Sequence, residues 1–183
     1  MTEAKARRIE ERYRDNLRLL PSFTDGIYSQ HDGRVAELAY GEHGHIGREG
    51  CGPAAVYNAL RHIGEARVLP EVIRDMEKLS LPWLGARFGT KAFSLGRIFR
   101  LYGVPCEKCV SPTEFKGRLA DSRVGIVCTW NPRFYGMHFF SVYYDKRGGA
   151  YYSANFRNTG KGFRRTAIDE ISSLRFIAGY LLT

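Results

Sequence analysis

Apolar residues in the first half of the chain recur with the spacing of an amphipathic helix. Ile9, Tyr13, Leu17 and Leu20, for example, fall on one stripe, and Pro21 follows them. A period of three to four residues puts such positions on one helix face. The pattern predicts four helices in this half: residues 5–20, 51–63, 70–79 and 91–102.

The second half changes to short runs rich in aromatic and β-branched residues, which indicate strands. The predicted strands are residues 104–110, 124–130, 138–144, 150–154 and 176–182, and two short helices are predicted over residues 112–120 and 167–173. Helices first and strands later indicate an α+β fold, with N-terminal helices packed on a C-terminal antiparallel sheet. We expect one domain, in which an N-terminal helix and arm (1–40) precede a core (41–183).

Composition narrows the class of protein. The chain has 183 residues, of which 44% are hydrophobic and 13% aromatic. This length and composition suit one globular core and exclude a disordered or collagen-like chain. No apolar run approaches the length of a membrane helix, and the charged N-terminus lacks the apolar stretch of a secretory signal. We therefore expect a cytoplasmic protein with no membrane partner.

The charge balance is basic, with 28 Lys and Arg against 19 Asp and Glu and a net charge of +9. Residues 146–165 contain six cations and no acid, with aromatic residues interleaved. Such a stretch binds single-stranded nucleic acid in some proteins, but it is more often a solvated surface. A solvated surface is therefore favoured over a nucleic-acid partner. A third interpretation is that the basic stretch recruits acidic peptide segments.

Cys51 lies where a glycine-rich loop meets a predicted helix, in the run Gly50-Cys51-Gly52-Pro53. Four cysteines are too few for a disulfide framework in a cytoplasmic chain, so the thiols are expected to be reduced. Unpaired backbone N–H groups at a helix start favour a thiolate, and small neighbours let a carbonyl group approach the sulfur. Cys51 is therefore the candidate nucleophile.

A histidine and an asparagine on a predicted β-hairpin complete the candidate site. His138 opens one strand, and Asn155 ends the next, across a turn of Asp145-Lys146-Arg147-Gly148-Gly149. A tight turn would pair position 138 with 155, and a longer loop would move the partner by one or two positions. The Asn155 side-chain oxygen could then accept the Nδ1–H of His138, which would present Nε2 to the thiol.

The order of Cys51 at a helix start, His138 on a strand and Asn155 on the next resembles papain-like cysteine peptidases. Residues 51–60, Cys-Gly-Pro-Ala-Ala-Val-Tyr-Asn-Ala-Leu, are similar to the compact bacterial C39-like branch. The resemblance implies that Cys51 is the nucleophile, His138 the base and Asn155 the orienting residue, with Asn158 as the alternative. The family usually has an oxyanion-binding Gln six residues before the Cys; here that position is His45, whose N–H could substitute.

The resemblance implies a peptidase or amidase that works through a thioester and acts on a peptide or protein, without metal or organic cofactor. The alternatives are acyl transfer by the same triad and a non-catalytic basic binding module for nucleic acid or an acidic peptide. Cys106 and Cys109 have the spacing of a metal or redox pair, but no second such pair exists, and strand residues three apart face opposite sides. Chelation by His43 and His45 with Cys51 is the other metal hypothesis.

Overall fold

A computed structural model describes residues 1–65, 67–131, 136–156, 163–172 and 175–183. Within them the helices are α1 (Glu3–Leu19), α2 (Ile46–Glu49), α3 (Cys51–His62), α4 (Leu69–Lys78), α5 (Gly96–Leu101), α6 (Pro112–Leu119) and α7 (Ile168–Ser172). The strands are β1 (Ala39–Tyr40), β2 (Gly44–His45), β3 (Cys106–Cys109), β4 (Val124–Asn131), β5 (Gly136–Asp145), β6 (Ala150–Ala154), β7 (Arg164–Thr166) and β8 (Arg175–Leu182). The predicted α+β class is confirmed.

The main sheet has six strands in the order β3-β8-β4-β5-β6-β7, and every neighbouring pair is antiparallel. Alternate side chains point to opposite faces of a sheet, so each face has its own core. Ile126 and Phe139 pack on the face that carries α3, whereas Val127 and Phe140 pack on the other with Phe115 of α6. Helices therefore cover both faces.

Gly179 of β8 shows how closely α6 approaches the sheet. A Cβ atom at this position would lie 2.2 Å from a ring carbon of Phe115. Since Phe115 is itself buried in a close-packed core, its ring cannot move aside to make room for a side chain at position 179. The absence of a side chain at position 179 thus sets the depth at which α6 docks.

The segment between α1 and β1 has little regular secondary structure, yet two buried asparagines bind its backbone and that of Ala39, which follows it. The Asn16 amide bonds both the N–H and the C=O of Ala39 at 2.8 and 2.9 Å. Asn58 of α3 bonds both groups of Ile27 in the same way, at 2.8 and 2.7 Å. The predicted arm (1–40) is thereby attached to the helices at several points, and α1 itself packs on α4.

The structure differs from the prediction in one shortened helix and in the short elements β1, β2, α2 and β7, which were not predicted. The helix predicted over residues 91–102 is limited to α5, because Lys91 N–H bonds Leu81 C=O and Ala92 C=O accepts from the Tyr180 hydroxyl, which holds residues before Gly96 in turns. The sequence pattern also missed β7, whose three residues are too few to show alternation. None of the helices in the described ranges is long and apolar enough to cross a membrane.

Candidate functional site

Cys51 is the first residue of α3, and the glycines around it allow neighbouring elements to approach closely. A Cβ at Gly50 would lie 2.4 Å from the Ile46 Cα of α2, and one at Gly52 would lie 2.1 Å from Thr90 Oγ1. Thr90 is buried and shares a hydrogen bond of 2.7 Å with the Tyr40 hydroxyl. The small residues at positions 50 and 52 thus hold the helix start against two other parts of the chain.

The Cys51 sulfur lies against the backbone of β5 and is almost completely buried, with 5% of the residue exposed. The thiol donates to Met137 C=O at 3.8 Å, and the Phe139 N–H bonds the sulfur from the same strand. Burial raises the pKa of Cys51 to about 11, although the backbone N–H groups of Phe139, Gly52 and Cys51 itself lower it. The thiol is therefore protonated at neutral pH.

His138 lies between those two backbone contacts, but its side chain points to the face of the sheet that carries Phe140. Its ring stacks on Phe140 with centroids 6.2 Å apart, and Nε2 lies 2.5 Å from Asn155 C=O. A carbonyl oxygen only accepts, so Nε2 carries the proton and Nδ1 is the basic nitrogen. Burial lowers the pKa of His138, although backbone hydrogen bonds with Asn155 and Phe156 raise it. The imidazole is thus neutral at neutral pH.

The structure brings Cys51 to the backbone of His138 but does not join their reactive atoms. Among the residues that the structure describes, no hydrogen bond links the Cys51 thiol to the His138 ring. The reason is the alternation of β5, since Met137 and Phe139 pack on the α3 side while His138 shares its side with Phe140.

Asn155 contacts His138 through its backbone carbonyl and not through the expected side-chain oxygen. The hairpin loop has four residues, so Asp145 pairs with Ala150 and β6 ends at Ala154, before any partner for His138. Asn155 then takes a left-handed conformation, with φ of 62°, which turns its carbonyl toward His138 and its side chain away. The roles predicted for Nδ1 and Nε2 are consequently reversed. Asn158, the alternative, lies outside the described residues.

The Asn155 side chain is committed to Gln30, a residue that the sequence analysis missed. Asn155 Oδ1 accepts from Gln30 N–H at 3.0 Å, and Nδ2 donates to Gln30 Oε1 at 3.3 Å. Gln30 Nε2 in turn donates to Gly47 C=O and Arg48 C=O of α2. Gln30 therefore links Asn155, which contacts His138, to α2, the helix that precedes Cys51. The sequence offered no local signal for a partner 125 residues away.

The remaining candidates occupy separate places. His45 is exposed, its N–H donates to Glu49 Oε2, and its ring Nδ1 lies 3.3 Å from Glu37 C=O. Cys106 packs on the core that contains α3, whereas Cys109 packs on the opposite one. Within the described ranges no group of three or more His, Cys, Asp or Glu side chains could hold a metal ion.

Replacing Asn155 with alanine is expected to lower the free energy of unfolding by about 2 kcal/mol or more, because Gln30 loses two buried partners. A positive φ is also strained for alanine but not for glycine, so Asn155→Gly should be about 1 kcal/mol more stable than Asn155→Ala. Urea unfolding of the three proteins measures both differences. An alanine variant as stable as the parent would contradict the inferred role of the Asn155–Gln30 pair.

Comparisons with known proteins found a structural similarity but no sequence match. No family model matches the chain, and no curated protein matches it. Among solved structures, the chain is similar to a double glycine motif protease from an AMS/PCAT transporter, crystallised in complex with the leader peptide. The similarity covers 72% of this chain and 82% of that one, with a TM-score of 0.49 and 19% sequence identity.

Proposed function

We propose that this protein is a cysteine-dependent hydrolase of the papain-like type, in which Cys51 attacks an amide or related acyl bond. One observation carries the proposal: the Cys51 sulfur, at a helix start, makes hydrogen bonds with the Met137 C=O and the Phe139 N–H. These two backbone groups flank His138 in the sequence. Nucleophilic catalysis uses a thiol within reach of a histidine that a third group holds, and here the thiol contacts the backbone on both sides of His138. The Cys-Gly-Pro run supports the same conclusion.

The chemistry needs only a small set of groups. His138 Nδ1 accepts the thiol proton as the sulfur bonds to the acyl carbon, and the backbone N–H groups of Cys51 and Gly52 are the candidate donors to the oxyanion. The carbon–nitrogen bond then breaks, and His138 returns the proton to the leaving amine. Water, deprotonated by His138, then adds to the thioester carbon, the carbon–sulfur bond breaks with release of the acid, and His138 returns the proton to the Cys51 sulfur. These steps require Nδ1 and the sulfur to approach hydrogen-bond range in the substrate complex.

The protonation states favour general-base catalysis over a preformed ion pair. Burial keeps the Cys51 thiol neutral, with its pKa near 11, and burial keeps the His138 imidazole neutral by lowering its pKa. A neutral imidazole can accept the proton only as the nucleophile attacks. Activity should therefore require deprotonated His138 and should fall as the pH drops through its pKa, below 6.5.

A peptide or protein is the substrate class that the surroundings favour. The loop of residues 82–90, which contacts the start of α3 through Thr90, exposes Trp83, Leu84 and Phe88. Exposed apolar side chains on a loop that contacts the helix of the candidate nucleophile suit the side chains of a peptide. The net charge of +9 favours acidic segments in that peptide. Acyl transfer, in which an amine or thiol replaces water, remains the alternative reaction.

A second candidate is a peptide-binding module without catalysis. It is favoured by the direction of the His138 ring, away from the thiol, and by the contact of the His45 ring with Glu37 C=O. A binding module would retain the surface of the loop at 82–90 but would form no covalent intermediate. Covalent trapping therefore separates the two candidates.

The test uses p-nitrophenyl acetate and peptide mapping by mass spectrometry. We expect acetylation of Cys51 in preference to the other cysteines, at a rate that rises as His138 loses its proton below pH 6.5 and then levels off. In His138→Ala the rate should follow the thiolate alone and keep rising toward a pKa of about 11. Release of the acetyl group by water or by an added amine distinguishes hydrolysis from transfer.

Two results would contradict the proposal. Equal acetylation of all four cysteines would show that Cys51 is not the preferred nucleophile. An identical pH profile in the parent and in His138→Ala would show that His138 does not act on the thiol, and the binding module would then be the better description.

A further inference from the structure

A cleft between α5 and the edge strand β3 lies apart from the candidate site. It has a volume of about 490 Å³, within the range of about 300–1,000 Å³ that small-molecule sites occupy. Tyr180 and Cys106 contribute to its lining, and Gly96 and Gly103 contribute no side chain. The cleft is large enough for a mononucleotide, and neither the fold nor the proposed hydrolase chemistry requires it.

Three cations from two elements line this cleft. Arg97 and Arg100 are three residues apart on α5 and thus share a helix face, while Lys108 comes from β3. No acidic residue is among the described residues that line the cleft, and none of the three cations has an ion pair within the described ranges. The cleft therefore concentrates positive charge.

The acid nearest in sequence does not neutralise this charge. Glu107 precedes Lys108, but neighbouring strand residues point to opposite faces. Glu107 accordingly pairs with Arg118 of α6 at 2.6 Å, on the other side of the sheet. Its carboxylate is thus unavailable to the cleft, and an external anion can take its place beside Arg97, Arg100 and Lys108.

An aromatic ring at the same cleft indicates more than a simple anion. Phe93 is 58% exposed, although it lies among the lining residues, and Lys108 Nζ is 5.7 Å from its ring centroid. Exposed phenyl rings beside cations stack on planar bases while the cations bind phosphate. The planar guanidinium groups of Arg97 and Arg100 can bind phosphate oxygens in bidentate fashion.

We propose that the cleft of Phe93, Arg97, Arg100 and Lys108 binds a nucleoside polyphosphate, with the base on Phe93 and the phosphates on the three cations. The ligand would bind the face of the protein at α5 and β3 and would take no part in the chemistry of Cys51. A basic surface cleft alone would bind any polyanion. The aromatic ring makes the nucleoside part of the ligand contribute to affinity.

Isothermal titration calorimetry of the full chain tests the proposal with three probes: ATP, tripolyphosphate and adenosine. We expect saturable binding of ATP, binding of tripolyphosphate at least fivefold weaker, and no measurable binding of adenosine. Phe93→Ala should weaken ATP binding and leave tripolyphosphate binding unchanged. Added salt should weaken both phosphate ligands, since the cations are exposed.

The matched comparison uses two double variants that remove the same charge. Arg97→Gln with Arg100→Gln should weaken ATP binding at least tenfold, whereas Arg14→Gln with Arg61→Gln should leave it within twofold. Arg14 and Arg61 are exposed and have no ion pair in the described part of the chain. Equal weakening by both double variants, equal affinity for ATP and tripolyphosphate, or the absence of saturable ATP binding would overturn the proposal.

Discussion

Replacement of Cys51 with alanine is expected to reduce turnover of an ester or amide substrate to the level of buffer alone. The thioester cannot form without the sulfur. Cys128 lies on β4 opposite Phe139 and is the other cysteine beside β5, but it is completely buried, and burial raises the pKa of its thiol, so it is not expected to replace Cys51. His138→Ala should retain the nucleophile and lose the base, which costs roughly 10²–10⁴-fold in rate. Steady-state release of p-nitrophenol from p-nitrophenyl acetate measures both losses.

Cys106→Ala is the matched control for Cys51→Ala. Cys106 is half-buried on β3, and burial raises its pKa to about 12, so its thiol is protonated like that of Cys51. It lies at one edge of the sheet, three positions away from β5 in the strand order. Its loss should leave turnover unchanged. If Cys51→Ala kept the parent rate while Cys106→Ala lost it, the site would have to be reassigned.

Glu77→Ala is expected to destabilise the fold by about 3 kcal/mol, because it breaks a buried ion pair and leaves its partners unpaired. The Glu77 carboxylate is only 3% exposed and binds the Arg12 guanidinium at 2.7 Å. It also accepts from Gly41 N–H at 2.6 Å. One carboxylate thus joins α1, α4 and the turn after β1.

The control for Glu77→Ala is Glu11→Ala, which removes an acid from α1, the helix that carries Arg12. Glu11 pairs with Arg7 at 3.0 Å, but both side chains are largely exposed. Exposed pairs contribute about 0–1 kcal/mol, since water and salt screen them. Urea unfolding should show a small change for Glu11→Ala. Similar losses in the two variants would contradict the special role of the buried pair.

The sequence predicted the parts of the fold that depend on local periodicity. The start of α3 at Cys51 follows from its glycines and its apolar spacing, and the β5–β6 hairpin follows from two runs around a glycine turn. The α+β class follows from the order of these elements. Each of these features depends on a stretch of about ten consecutive residues.

The arrangement of the site depends on contacts that no such window contains. The loop length moved the register by two positions, so Asn155 lies beyond the end of β6. Its positive φ and its pairing with Gln30 depend on a segment 125 residues earlier in the chain. The direction of the His138 ring follows from the same register. Tertiary contacts therefore decided which atoms face each other.

The asparagine contacts of Asn16, Asn58 and Asn155 limit how the segment between α1 and β1 can move. Asn58 and Asn155 each make two hydrogen bonds to this segment, at Ile27 and Gln30, and Asn16 makes two to Ala39, the first residue of β1, where the segment ends. At about 1 kcal/mol for each bond, lifting the segment would cost several kcal/mol before any apolar surface is exposed. Such an opening approaches the cost of global unfolding. The segment is therefore held in one conformation, and a substrate that reaches Cys51 must enter by a route that does not displace the segment.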